Sequence, residues 1–196
     1  TGRWFAIEAW DVTPDIIAAG KGLGAGYTPI AATLARREMW QAIEAGGRSF
    51  MAGHTMNQNP VSCAAALAVI EQIEEMDLLD HVRQLGDYLR SRLDELLEFE
   101  IVGDVRGMGL LTGFEFVADK ASKAPFDPAL GVSALYQRQA LSRGLVQYAC
   151  TGCVDGAAGD MNLVAPPLVI TREQVNEMVD LIKEALTATQ EAVKSS

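Results

Sequence analysis

A single lysine between an apolar run and a glycine-rich turn is the feature that most constrains the fold of this chain. The run is Asp15-Ile-Ile-Ala-Ala-Gly-Lys-Gly-Leu-Gly-Ala-Gly26. Its length and its glycine boundary are typical of a buried strand. A strand that ends in Lys-Gly-x-Gly carries the amine to the carboxyl edge of a sheet, where α/β folds bind ligands. We therefore predict a strand over 14–20 with Lys21 at such an edge. The alternative is a surface lysine in a glycine-rich turn.

The chemistry of Lys21 follows from its neighbours. Apolar flanks solvate an ammonium group poorly, and the neutral amine is the form that attacks carbonyl carbons. Lys21 is the first lysine of the chain, and the next two, Lys120 and Lys123, lie in a polar Ala/Ser loop. A reaction that needs an amine therefore has one strong candidate.

The lysine segment is one of five short motifs that follow one another along the chain. The other four are Thr1–Glu8, Gly53–Pro60, Val105–Leu110 and Ala165–Thr171. In this order they resemble segments of the class III (omega) aminotransferases, which use pyridoxal 5'-phosphate (PLP) and have fold type I. Each motif alone is weak, but the five cover nearly the whole chain. We interpret the chain as the C-terminal half of such a family chain.

The resemblance implies an α/β fold with part of a PLP-transferase large domain, of the aspartate-aminotransferase type, and a small α+β C-terminal domain. We predict a partial PLP-binding large domain over 1–58, a helical connection over 59–98 and the small domain over 99–196. Two strands cannot close a stable parallel sheet alone, so we expect more of the sheet upstream of Thr1.

Hydrophobic periodicity, caps and breakers predict the individual elements. The predicted helices cover 36–45, Pro60 to Glu75, a segment from about Leu79, Val132 to Ser142, and a last helix that starts at Thr171 with Gln174 completing a capping box. Further strands are predicted over 29–35, 99–105, 110–117, 145–149 and 161–165.

The resemblance also implies the site residues. Lys21 would be the Schiff-base lysine and the proton carrier. Thr55 would bind the PLP phosphate of the neighbouring subunit, which implies a homodimer. A hydroxyl in a loop of small residues suits a phosphate, although Thr55 could instead cap the following turn. In the family that the chain resembles, the carboxylate for the pyridine nitrogen lies just upstream of the Gly-x-Gly-Arg stretch, so the resemblance implies that it precedes Thr1. Asp11 and Asp15 are nearby in the sequence, but Asp15 begins the strand at the wrong end, and both are rejected. Residues 1–196 alone are therefore not expected to bind PLP productively.

Arginine usage bears on the substrate. Arg106 could bind a substrate carboxylate through a bidentate fork, but the resemblance gives it a structural role in the small domain. The loop 150–160 and the segment 161–165 contain no arginine. This departure from the family pattern disfavours recognition of an α-carboxylate there and favours an amine donor, or a donor held by upstream residues.

Charge and cysteine usage limit the partners. The net charge of −10 disfavours nucleic acid and anionic membrane surfaces. No apolar stretch is long enough to span a bilayer. We predict that Cys63 is a small core residue, and that Cys150 and Cys153 form either a thiol redox pair or half of a zinc site whose second half is missing. A reduced, cytoplasmic chain fits best.

The predicted activity is transfer of an amino group between an amine or amino acid and a keto acid or aldehyde, in a ping-pong cycle. Two alternatives stay open at this point. One is a PLP-dependent aminomutase, racemase or decarboxylase of the same fold. The other is a truncated, non-catalytic module that needs a missing N-terminal half. A nucleotide-binding P-loop at Gly20–Gly24 is excluded by its glycine spacing.

Overall fold

The computed structural model describes residues 1–47 and 49–195. These residues form two compact units. We call Arg3–Leu79 the lysine unit, and Thr1–Gly2 with the chain from Asp80 onward the C-terminal unit. The finer division at 58 and 98 stays a prediction.

The described residues of the lysine unit include two short strands and two α-helices. Its elements are β1 (Ile16–Ala19), β2 (Ala32–Ala35), α1 (Arg37–Ala45) and α2 (Pro60–Glu75). The two strands are antiparallel, with Ile16 opposite Ala35 and Ala19 opposite Ala32. Both predicted strands are present with shorter bounds. The expected burial of the first one is wrong: its side chains alternate between exposed and half-buried, because a sheet of two strands cannot cover both of its own faces.

Helix α2 begins where the sequence predicts. Pro60 occupies its first position, and the Asn59 side chain accepts the backbone N–H of Ser62 at 3.1 Å. A proline lacks the N–H that would be unpaired there in any case. The prediction that Cys63 lies in a core is wrong, since Cys63 is exposed and Ala66 is the buried residue of the helix. The helix packs chiefly against the short turn Lys21–Gly24, which covers few of its residues.

The C-terminal unit is built on an antiparallel sheet of four strands in the order β3-β4-β6-β5. Its strands are β3 (Val102–Met108), β4 (Leu111–Phe116), β5 (Tyr148–Cys150) and β6 (Asp160–Val164), and its helices are α3 (Leu78–Leu93, which starts just before the unit boundary), α4 (Val132–Ser142) and α5 (Arg172–Lys194). The predicted helices are confirmed, and α4 has the predicted bounds. Strand β5 lies about three residues later than the predicted start at 145.

The core of this unit follows from the predicted apolar stripes. The stripe of α3 and the turn after it is buried throughout: Val82, Leu85, Leu89, Leu93 and Leu96. From α5, Val175, Val179, Ile182 and Leu186 are fully buried, whereas Met178 is only half-buried. Three aromatic rings, those of Phe114, Phe116 and Tyr136, meet at centroid distances of 5.3 to 5.5 Å. Burial of each such side chain contributes roughly 1.5–3 kcal/mol.

Helix α4 protects the outer edge of β5. The Ser133 hydroxyl donates to the Cys150 carbonyl at 2.7 Å, and the Gln137 amide donates to the Gln147 carbonyl at 3.4 Å. The two donors lie one helical turn apart, so they reach carbonyls along the same edge. Covering an edge in this way removes a template for pairing with another chain.

Candidate functional site

Lys21 lies immediately beyond the carboxyl end of β1. The strand ends at Ala19, and Lys21 starts a 3₁₀ turn that extends to Gly24. The backbone of Lys21 has φ 48°, in the left-handed region. A residue with a side chain is uncommon there, and such a conformation is of order 1–3 kcal/mol less favourable unless the surroundings hold it. An observed outlier of this kind points to a functional constraint.

The Lys21 side chain is exposed, and no residue of 1–47 or 49–195 pairs with its amine. The expectation that apolar flanks shield the amine is therefore wrong for these residues. The reason is that β1 and β2 form a narrow sheet whose end leaves the turn open. The prediction that the amine stands at a strand's carboxyl end is confirmed.

The backbone that carries Lys21 is a series of tight turns. The N–H of Leu23 donates to the Gly20 carbonyl at 3.1 Å, that of Ala25 to Gly22 at 3.1 Å, and that of Tyr27 to Gly24 at 2.8 Å. Gly24 is buried, and a Cβ at this position would lie 2.8 Å from Cγ2 of Ile30. Because Ile30 is β-branched and stiff, position 24 requires glycine.

Thr55 lies in the turn that precedes α2. The turn is closed by the N–H of Asn57, which donates to the His54 carbonyl at 2.9 Å. Thr55 is exposed and makes no capping hydrogen bond to the residues that the structure describes, and Asn59 caps α2. Its hydroxyl is free to bind a ligand.

Two residues that sequence reasoning missed connect these segments. The Thr28 and Ser62 hydroxyl oxygens lie 2.9 Å apart, although 34 positions separate them in the sequence. Helix α2 also packs against the Lys21–Gly24 turn. No local pattern could have revealed this pair, since neither residue belongs to a recognisable motif.

The two carboxylates near Lys21 in the sequence do not serve it. Asp15 pairs with Arg36, with 3.3 Å between the charged atoms, at the opposite end of β1. Asp11 closes an earlier turn with left-handed φ. Within the described residues, Lys21 can supply the amine and Thr55 the hydroxyl group that PLP requires. Neither Asp11 nor Asp15 is placed to bind the ring nitrogen of PLP.

Arg106 has both ends of its guanidinium engaged. It binds Asp104 at 2.7 Å and also binds Glu115 on the neighbouring strand β4. The hydrogen bond to Glu115, followed by that to Asp104, raises the pKa of Arg106, and Arg106 in turn is the main cause that lowers the pKa of Asp104. Its fork is thus occupied by the protein, which agrees with the structural role.

Of the Cys-x-x-Cys pair, Cys150 ends strand β5 and Cys153 lies in the hairpin turn that follows. Cys150 stands opposite Met161, the N–H of Cys153 bonds to the Gly159 carbonyl at 3.1 Å, and Val154 bridges to Ala158. Gly152, between the two cysteines, has a left-handed φ of 71°, and both thiols are free. The redox pair stays a prediction. Within 1–47 and 49–195, no cluster of three or more His, Cys, Asp or Glu side chains could hold a metal ion.

Two grooves formed by the described residues are not lined by the candidate residues. The C-terminal unit has a groove of about 490 Å³ between the segment Leu145–Tyr148, the residues around Pro166 and the Gln174–Leu181 face of α5. In the lysine unit, a depression of about 530 Å³ lies beside the end of α1. Neither is lined by Lys21 or Thr55. In the described part of the chain, no helix has the length and apolar character needed to cross a bilayer.

The fold of the chain is that of PLP-dependent transaminases: a transaminase from the marine bacterium Virgibacillus superposes with a TM-score of 0.92 at 30% identity, covering 98% of this chain and 43% of that one. The chain belongs to the class III aminotransferases: the sequence model of that family, aminotransferase class-III, matches residues 1–186. The predicted family and fold class are confirmed.

Individual relatives agree with this assignment. The chain is 38% identical over 195 residues to an uncharacterized aminotransferase (YodT) of Bacillus subtilis, covering 99% of this chain and 44% of that protein. It is 39% identical over 193 residues to a leucine/methionine racemase of Thermococcus litoralis, covering 97% and 40% respectively. A PLP-bound aminotransferase mutant from Vibrio fluvialis superposes with a TM-score of 0.86 at 33% identity, covering 98% of this chain and 42% of that one. The chain thus spans about two fifths of the length of these relatives.

Proposed function

We propose that this chain supplies the reactive amine and one phosphate ligand for PLP-dependent transfer of an amino group between an amine or amino acid and a keto acid or aldehyde. The observation that carries the proposal is the unpaired Lys21 amine, held in a left-handed backbone at the end of β1 in a member of this family. When bound, PLP supplies an aldehyde and an electron-accepting ring.

Each residue of the chain has a defined task in this proposal. Lys21 would hold the cofactor through Nζ, and its amine would carry the proton at the substrate Cα. Thr55 would hold the phosphate of the cofactor through its hydroxyl group. The tight turns from Gly20 to Tyr27 limit the motion of the backbone that carries the amine, which favours reaction because a positioned group reacts faster than a mobile one.

We also propose that the protein acts as a homodimer, with Thr55 of one copy binding the phosphate held by the other. Exposed apolar side chains in the lysine unit support an interface: Trp10, Tyr27, Met51, Met56 and Val61 are each at least 62% exposed. Exposed apolar side chains in such number indicate an interaction surface. The three free thiols support a cytoplasmic location.

The donor is proposed to be an amine, or a donor whose carboxylate is held by residues upstream of Thr1. Arg106 is already bound to Asp104 and Glu115, and the segment 150–165 offers no arginine. Nothing in that part of the chain provides the planar, bidentate partner that carboxylates prefer.

A single half-reaction tests the proposed activity. The intact protein is loaded with PLP and mixed with a primary amine or L-alanine in the absence of any acceptor. We expect one equivalent of ketone or keto acid and one of pyridoxamine phosphate, with the Lys21→Ala variant as the control. Interconversion of enantiomers without a keto product would indicate a racemase, and no reaction of either kind would indicate a non-catalytic module; both outcomes contradict the proposal.

A further inference from the structure

We propose that Thr28 and Ser62 are positioning residues that hold Lys21 in its reactive place. This inference rests on the proposed function of Lys21. The two hydroxyl oxygens are 2.9 Å apart and the pair is partly buried. Both residues belong to the lysine unit, and neither has a role in the motifs described above.

The first step of the argument is the path from Thr28 to Lys21. Three successive backbone hydrogen bonds, from Leu23, Ala25 and Tyr27 to the carbonyls three positions earlier, join Gly20 to Tyr27 without a gap. Thr28 follows directly. A short chain in consecutive tight turns has little freedom, so a displacement of Thr28 is passed on to Lys21.

The second step is the rigidity of Ser62. Its backbone N–H is fixed by the Asn59 side chain at 3.1 Å, within a helix that starts at Pro60. Its hydroxyl therefore projects from a defined first helical turn. The same helix packs against the Lys21–Gly24 turn.

The third step concerns backbone strain. Lys21 and Ala25 have φ values of 48° and 46°, and both are residues with side chains. Such conformations persist only when the surrounding structure holds them. In the described part of the chain, the Thr28 to Ser62 contact is the side-chain hydrogen bond that ties residues 20–28 to α2. Its loss lets the turns relax and moves the amine.

The test uses the intact protein and the variants Thr28→Val, Ser62→Ala and the double variant. Thr33→Val is the matched control, because Thr33 is an exposed residue of β2 whose side chain makes no hydrogen bond to residues 1–47 or 49–195. Thr28→Ser is the conservative variant that retains the hydroxyl. Circular dichroism checks that each variant is folded. If Thr28→Val does not fold, Ser62→Ala tests the same contact.

Two readouts are combined. The first is hydrogen–deuterium exchange of the peptide that spans 20–28 in the apoprotein, which we expect to accelerate in both single variants. The second is the rate at which PLP becomes fixed to Lys21, trapped by borohydride at saturating PLP. We expect this rate and kcat to fall about three- to tenfold, the effect of one hydrogen bond, with substrate KM unchanged. Because both variants remove the same contact, the double variant should be no slower than either single variant.

The outcomes separate the two proposals. Absence of PLP on Lys21 in the wild type contradicts the proposed function. If PLP is fixed to Lys21 in the wild type, additive losses in the double variant would overturn the positioning role. It would equally be overturned by faster exchange with an unchanged trapping rate, by an effect of Thr33→Val as large as that of Thr28→Val, or by a Thr28→Ser variant as slow as Thr28→Val.

Discussion

Asp160 and Ser133 join strand β6 to helix α4: the Oδ1 atom of Asp160 accepts the backbone N–H of Ser133 at 3.1 Å. The two residues are 27 positions apart and nearly inaccessible to solvent, with exposed fractions of 5% and 0%. Ser133 is the second residue of the helix, where backbone N–H groups have no intrahelical partner. Asp160, a residue of strand β6, thus caps the N-terminus of α4. Its negative charge suits the positive end of the helix dipole.

Removal of this carboxylate should destabilise the C-terminal unit. Asp160→Ala leaves the Ser133 N–H buried without an acceptor, which costs about 1–3 kcal/mol of unfolding free energy. Urea denaturation measures the change. Asp87→Ala is the control, since Asp87 is exposed on α3, and surface changes of this kind stay within about 0.5 kcal/mol. Equal losses in the two variants would refute the capping role.

Tyr136 should make the stability of the protein fall at high pH. Its side chain is fully buried and donates to Oε1 of Gln147 at 2.5 Å, and burial raises the pKa of its phenol. In the unfolded chain the phenol ionises near its ordinary value of about 10, while in the folded protein it keeps its proton. The unfolded state therefore binds fewer protons above that pH, and stability falls by up to about 1.4 kcal/mol per pH unit.

The comparison for Tyr136 is a denaturation series between pH 9 and 11.5 on the wild type and Tyr136→Phe. The variant should lose less stability over this range, because it has no phenol to ionise at this position. Parallel pH profiles for the two proteins would show that Tyr136 does not contribute.

Arg106→Met should reveal a structural rather than a substrate-binding residue. The side chains of Arg106 and Asp104 are 57% and 46% exposed, and exposed pairs of this kind contribute at most about 1 kcal/mol. We expect a small loss of stability and a KM for the keto acid within about twofold of the wild type. The pKa of Asp104 is lowered in the fold, so the stabilising effect of Arg106 is present at neutral pH and disappears as the pH falls through that pKa. A tenfold rise in KM would indicate that Arg106 binds the substrate and would contradict the structural role.

Local sequence patterns predicted much of the secondary structure. Helix α4 has the bounds that its periodicity predicts, and Thr171 and Gln174 form the predicted capping box, with hydrogen bonds of 2.9 and 3.3 Å. Capping and periodicity involve residues within a few positions of one another, so they are visible in the sequence. The position of Lys21 after β1 could likewise be predicted from residues close to it in the sequence.

Long-range contacts could not be predicted in this way. The Thr28 to Ser62 hydrogen bond and the cap from Asp160 to Ser133 depend on how distant segments meet. The exposure of Lys21 and Cys63 has the same origin. Burial is a property of what covers a segment, and an apolar flank in the sequence does not say how much of it is covered.

Thr55→Ala should weaken the retention of PLP. A hydroxyl that bonds to a charged phosphate contributes about 1.5–3 kcal/mol, which corresponds to a roughly 10- to 150-fold increase in Kd. Equilibrium dialysis of the intact protein against PLP gives the value. Thr55→Ser, which keeps the hydroxyl, should bind within a few-fold of the wild type. An unchanged Kd in Thr55→Ala would remove Thr55 from the site.

The covalent position of PLP tests the central claim most directly. The intact protein is incubated with PLP, reduced with borohydride, digested and analysed by mass spectrometry. We predict that the reduced cofactor is found on Lys21, and that Lys21→Ala loses both the modification and the visible absorbance of the loaded protein. Cofactor attached to Lys120 or Lys123 while Lys21 stays unmodified, or an undiminished visible absorbance in Lys21→Ala, would contradict the account.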